Sequence, residues 1–293
     1  MTALKHWQQR VAEHTAQWQQ TRIAQGVAEH DSWEPLTASF TADPRRTDDP
    51  EVNRLLQEVQ TTTTLLDVGG GAGRFALPLA LRCQHVTVVE PAASMGEPLQ
   101  RLAAEAGIAN LTLIADRWEE AVVEPVDVVL SAHVIYTIAD IEPFVRKLLR
   151  HARTRVLMPT HMRPPMSRFD PFWPWIYGTE KKSPPGAAEF MQVLWEMDIY
   201  PQLEMFPPVP FRAFRSWERA LETLRQRLFV APDSAADARL QQAMQALLVE
   251  TPEGYVIKGA KPGRLALIAW QPEQGACARG WPAASGPLCC PSL

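Results

Sequence analysis

The run LLDVGGGAGRF, Leu65 to Phe75, constrains this chain more than any other stretch. Gly69, Gly70 and Gly71 stand in a row and Gly73 follows after one alanine; glycine loses more backbone freedom on folding than any other residue. An apolar run, Leu65 to Val68, leads into them, and Arg74 to Arg82 reads as a helix leading out. A strand, a corner bare of side chains and a helix let a ligand approach the main chain and meet the free N–H groups of the helix start. The spacing rules out two versions of that arrangement. A strict G-x-G-x-x-G fingerprint would need glycine at Arg74 or Ala76, and the G-K-[ST] ending of a phosphate loop is absent. An acid followed by alternate glycines remains: Asp67, Gly69, Gly71, Gly73.

The surrounding sequence sets this corner in an α/β domain. LLDV, HVTVVE, LTLIAD, VDVVLSA and RVLMPT read as strands, with helices in SMGEPLQRLAAEAG, stopped by Gly107, and in DIEPFVRKLLRHA. Strands apolar through several positions and separated by helices predict a parallel sheet covered on both faces, a doubly wound fold. Residues 1–60 read as a helical segment capping the cleft, with Asp49 as N-cap and Pro50 in the first turn of DDPEVNRLLQEV. From Met162 to Pro185 the chain is too rich in proline for regular elements. Beyond it AAEFMQVLWEM, SWERALETLRQRLF and DSAADARLQQAMQALL read as helices, and QLEMF and RLALIAW as strands. The expected division is a segment 1–60, a main domain 61–273 carrying cap insertions at about 162–200 and 207–262, and a poorly ordered tail 274–293.

Composition narrows the class. The 293 residues are 46% hydrophobic and 21% charged, as in a soluble globular protein. A net charge of −4 argues against a nucleic-acid partner. The N-terminus MTALKHWQQRVAEHTAQWQQ lacks the apolar core of a signal peptide, and no run is long enough to span a bilayer, so a cytoplasmic protein with no membrane partner is expected. Cys83, Cys277, Cys289 and Cys290 form neither metal-ligand spacing nor a disulfide framework, and no metal site is expected.

LDVGGGAGRFALPLA closely resembles the first motif of the class I S-adenosylmethionine-dependent methyltransferases, an acid followed by G-x-G-x-G. That resemblance, which covers Thr64 to Pro159, implies a mostly parallel, Rossmann-like seven-stranded sheet and S-adenosylmethionine as cofactor. It implies that Gly69, Gly70, Gly71 and Gly73 line the cofactor and that Asp67 approaches its amino-acid end. Glu90, ending the second strand in VTVVEP, would hold the ribose hydroxyls, since a carboxylate accepts from both at once. Pro91 to Met95 would flank the adenine, Asp116 would meet its amino group, and Arg117 and Trp118 would lie beside the ring. Ser131 and His133, at the end of the fourth strand, fall where cofactor and acceptor should meet. Acids near the loop suit a sulfonium and ammonium, whereas a pyrophosphate would prefer none.

Other candidates follow from position. His133 stands at the ligand-binding edge and carries an imidazole, the side chain best suited to proton transfer, so it is a candidate general base, a backbone-bonding loop histidine being the alternative. Tyr136 is either a pocket wall or a catalytic phenol. His161 and Arg163 follow the fifth strand and face the expected cleft, where Arg163 could bind an acceptor carboxylate; a solvated loop is the alternative. In FDPFWPWIYG, Trp173, Trp175 and Tyr177 offer either a lid over a hydrophobic or aromatic acceptor or packing for the auxiliary helices. The charges of RKLLRHARTR read as a solvated helix face. The expected activity is methylation of a small molecule. A cofactor-binding sensor or scaffold and an RNA methyltransferase are the alternatives. The Asn-Pro-Pro-Tyr motif of many amino-group methyltransferases is replaced by SAHVIY, against nucleobase or glutamine methylation.

Overall fold

A computed structural model of the protein describes residues 1–27 and 41–272. The tail at 274–293 and residues 28–40 of the N-terminal segment lie outside the described residues. Five aliphatic runs form parallel strands, β1 (Thr64–Val68), β2 (His85–Val89), β3 (Leu111–Ile114), β4 (Val126–Leu130) and β5 (Ala152–His161). Four more follow: β6 (Gln202–Met205), β7 (Leu248–Thr251), β8 (Gly254–Ile257) and β9 (Leu265–Trp270). Seven of these strands make one sheet, ordered β3-β2-β1-β4-β5-β9-β6, in which β9 runs antiparallel to both its neighbours. The order reverses between β1 and β4, which opens a crevice at the carboxyl ends of the strands, beside the glycine corner.

Alternation along β1 decides what each residue faces. Leu66 and Val68 join one core layer with Trp7, Phe144 and Phe190, while Leu65 joins the opposite layer with Leu77 and Leu99. The first layer is closed by α1 (Ala3–Ala24), which packs on helix Ala187–Glu196 and on helix Ile141–His151. The second layer is closed by α2 (Pro50–Leu55), α3 (Ala76–Ala80) and α4 (Ala93–Glu105). Asp49 caps α2 as expected, accepting from the N–H groups of Glu51 and Val52. In chain order the next helices are α5 (Ile141–His151), α6 (Trp173–Tyr177), α7 (Ala187–Glu196), α8 (Trp217–Leu228) and α9 (Ala235–Leu247).

A third core lies outside the sheet. Phe169, Phe172, Trp173, Leu224, Leu240 and Met244 bury one another between α6, α8, α9 and the β7–β8 hairpin, forming the cap. Two expectations are corrected here. The proline-rich stretch is irregular only in part: it forms a 3₁₀ helix, Pro165–Phe172, followed by α6, with Pro165 and Pro174 in first turns where the missing N–H goes unused, and no regular element follows up to Pro185. The helix expected from Arg74 to Arg82 is shorter, Ala76–Ala80, because Arg74 and Phe75 still belong to the corner. The hairpin after α9 had no counterpart in the sequence reading.

Candidate active site

Gly69, Gly71 and Gly73 all have positive φ, 74°, 55° and 85°, which L side chains rarely adopt. Three of the four glycines are tied to packing. A Cβ on Gly69 would stand 2.6 Å from Val134, one on Gly70 2.7 Å from Val88, and one on Gly73 2.8 Å from Leu77. Gly71 differs: an added Cβ meets nothing within 4 Å. This is the glycine whose bare backbone faces open space.

Beneath the corner lies Asp67, 1% exposed, with neither carboxylate oxygen hydrogen-bonded. Burial, with the Glu90 charge second, pushes its pKa up to about 7. Glu90 follows β2 and accepts from the N–H of Gly71 and of Ala92, both at 2.9 Å. It therefore sits against the one glycine that opens outward. Ser131, fully buried past the end of β4, has a hydroxyl with no partner. Unsatisfied buried groups of this kind cluster at functional sites. Met95 is buried in the first turn of α4, Pro91 is exposed, and Asp116 accepts from the N–H of exposed Arg117 at 2.8 Å. Trp118, expected beside the adenine ring, is buried. Its ring is 5% exposed, with the Lys147 ammonium 4.4 Å from its centroid and His151 edge-on, so it packs under α5 and offers no free face to an adenine.

His133 stands across the corner with φ of 61° and donates its backbone N–H to Pro159. Its Nε2 lies 2.8 Å from Glu51 Oε2, a residue of α2. Burial alone would raise Glu51, but the hydrogen bond and charge of His133, with Arg74, more than offset it and hold the carboxyl below its usual range. An ionised Glu51 only accepts, so the Nε2 that faces it carries a proton, while Nδ1 is buried without a partner. The ring lies tilted against His161, centroids 4.8 Å apart, and 5.9 Å from Phe75. Burial, then the neighbouring His133, brings the His161 pKa down to about 4, so His161 is neutral at pH 7. Arg74 ties the corner to α2 through Asp49 and Glu51, and Arg46 reaches both Asp49 and the Arg74 carbonyl.

The remaining candidates separate. Tyr136 is no proton acceptor: its oxygen accepts from the His161 N–H at 2.8 Å, and burial pushes the phenol well above its ordinary pKa. Arg163 is exposed. Trp173, 1% exposed, and Tyr177, which donates to the Leu228 carbonyl at 2.5 Å, fill the cap's own core rather than offering a lid surface. Trp175 is 47% exposed. Sequence reasoning missed Glu51 and Arg74. Glu51 reads as an ordinary first-turn acid, and its partner lies 82 residues away, a distance that local pattern does not bridge.

Residues 65–155 match a family described as a methyltransferase domain. An uncharacterized protein of Haemophilus influenzae is 32% identical over 111 residues, which span 36% of this chain and 40% of that protein. The chain thus spans well under half the length of the curated relative it matches. Among solved structures, a candidate methyltransferase of Bacillus halodurans superposes with a TM-score of 0.55 at 13% identity, covering 76% of this chain and 99% of that one. The YcgJ protein of Bacillus subtilis superposes with a TM-score of 0.52 at 15% identity, covering 75% and 97%. These likenesses are of fold.

Proposed function

We propose that this chain, which carries a class I methyltransferase domain at residues 65–155, transfers the methyl group of S-adenosylmethionine to a small-molecule acceptor. One observation carries the reading: an orphaned, buried carboxylate, Asp67, abuts Gly70 in the corner where the next residue, Gly71, opens on empty space. That pairing fits a ligand which is cationic and approaches the backbone closely. Gly69 to Gly73 and Asp67 would hold its methionine end, Glu90 the ribose, and Asp116 with Met95 and Pro91 the adenine. When bound, the cofactor supplies a methyl carbon already activated by a sulfonium.

The protein's tasks are then orientation, exclusion of water and removal of the acceptor's proton. Asp67 balances the cofactor's charge. His161, neutral at working pH, lines the site without repelling a cation. His133, held at Nε2 by Glu51, presents Nδ1 as the proton acceptor. A small acceptor is favoured by the chain's net charge of −4 and by α5, two of whose basic residues are engaged locally, Arg146 with Glu142 and Lys147 with the carbonyls of Trp118 and Ala121. The test is calorimetric titration with S-adenosylhomocysteine, followed by labelled methyl transfer into a metabolite extract. Saturable one-site binding that Glu90→Ala weakens severalfold is expected. Failure to bind, or binding indifferent to Glu90, would sink the reading.

A further inference from the structure

Past the sheet edge, the chain after β6 runs antiparallel to the chain before β9. Val209 exchanges both backbone hydrogen bonds with Gly263, at 3.0 and 2.8 Å, and Phe214 does the same with Tyr255, both at 2.8 Å. Between this ribbon, the β7–β8 hairpin and the 3₁₀ helix lies a cavity of about 420 Å³, within the range of small-molecule sites. Three rings, Phe211, Phe214 and Tyr255, and three cations, Arg168, Arg212 and Lys258, line it, and none of the lining residues is acidic. The Arg168 guanidinium is half-buried over Phe169 at 4.5 Å and near Phe211 at 5.3 Å. Among the described residues no carboxylate pairs with it. Burial, then the charge of nearby Arg227, brings its pKa down, and Arg227 is itself desolvated.

A half-buried guanidinium with no carboxylate partner among the described residues, beside two further cations on the same wall, forms an arrangement that an anion relieves. Guanidinium forks match carboxylates and phosphates, and the rings suit an aromatic or apolar body. One wall of the cavity is joined along the chain to the strand that pairs with His161. Its wall residue Pro262 is three residues from Leu265, the strand partner of His161, and three residues of extended chain span at most about 10 Å.

We propose that this pocket receives the acidic end of the methyl acceptor, making the acceptor an organic acid with an aromatic or apolar body. The word acceptor rests on the transferase reading above; the pocket's preference for such acids stands apart from it. The test titrates the full chain, with and without S-adenosylhomocysteine, using 1-naphthoate, 1-naphthyl phosphate and neutral 1-naphthamide, and indole-3-acetate beside indole-3-acetamide. Acids are expected to bind about tenfold or more tightly than amides, roughly the contribution of one charge-assisted contact. Arg168→Gln and Arg212→Gln should abolish that preference while S-adenosylhomocysteine affinity holds. Lys258→Gln, at an exposed side chain whose backbone N–H alone bonds Leu247, should reduce it severalfold without risk to folding. The naphthoate and naphthyl phosphate arms separate a carboxylate head from a phosphate one. Equal binding of acid and amide, or a preference that survives both arginine variants, overturns the proposal. Acid preference without any S-adenosylhomocysteine binding overturns the acceptor assignment and keeps the anion pocket.

Discussion

Asp67 keeps a carboxyl group in the interior with no donor to either oxygen, and its pKa near 7 follows from burial first and Glu90 second. The folded value is raised above the unfolded one, so its contribution to stability is full below about pH 4 and is lost as pH rises through about 7. A cation brought beside it restores the ionised form. S-adenosylmethionine binding at pH 6 should therefore release close to one proton, falling toward zero by about pH 8. Calorimetry in buffers of different ionisation enthalpy measures this, and Asp67→Asn should erase the release; a release unchanged in that variant would assign it elsewhere. The corner glycines make a second contrast. Gly73→Ala drives a methyl into Leu77 and Leu99 and should lower the melting temperature, whereas at Gly71 the added methyl meets only open space. Gly71→Ala should leave the melting temperature within the few degrees that about 1–2 kcal/mol of left-handed strain costs, yet weaken S-adenosylhomocysteine about tenfold or more. Both residues were legible in the sequence because the acid and the glycines are neighbours in the chain. Glu51 was not, since only folding brings α2 to His133.

Among the elements, those with strong local pattern were legible: the parallel strands with their apolar runs, α4 with Gly107 beyond its end, and α5 with its buried Ile141, Phe144, Val145 and Leu148. What escaped was set by contacts the pattern does not carry. The 3₁₀ helix and α6 each open with a proline in the first turn, and the 3₁₀ helix also carries Pro171 inside it, so proline content there did not mean irregularity. The β7–β8 hairpin has only four residues a side, and its Tyr255 is fixed by pairing with Phe214, far off in sequence. Trp118 and Trp173, picked out in the sequence by type and position, are both buried. At α2 the element itself has a function: Asp49 and Glu51 clamp Arg74, and Glu51 orients His133. His133→Gln should lower kcat by roughly 10²-fold or more, the usual weight of a general base. Glu51→Gln keeps the shape but weakens the charge-assisted bond, and should lower kcat by about tenfold with cofactor Kd within about twofold. Single-turnover kinetics with a confirmed acceptor checks both, and a Glu51→Gln enzyme of full kcat would reduce the contact to a structural one.

In the whole molecule, α1 is the strut between sheet and cap. At one end Trp7 is fully buried in the sheet core, its ring tilted against Phe190 and its Nε1 donating to the Ile138 carbonyl at 2.8 Å. Near the other, Trp18 meets Phe229, just past α8, edge-on at 4.4 Å. Gln17 and His14 bond the backbone of residues 180–182, and Lys181 lies over Trp173 at 4.4 Å. The cap has its own hydrophobic core, so its opening need not follow that of the sheet. The two tryptophans of α1 should then fail differently. Trp7→Ala empties a sheet-core site and should cost about 3–5 kcal/mol of global stability, lowering amide protection throughout β1 to β5. Trp18→Ala removes a half-buried ring at the joint, and should cost less overall while raising exchange selectively in α8, α9 and residues 180–182. Hydrogen exchange read by mass spectrometry on both variants separates these patterns. Equal loss of protection in sheet and cap for Trp18→Ala would mean that the two cores unfold as one unit, and that α1 stabilises the molecule without hinging it.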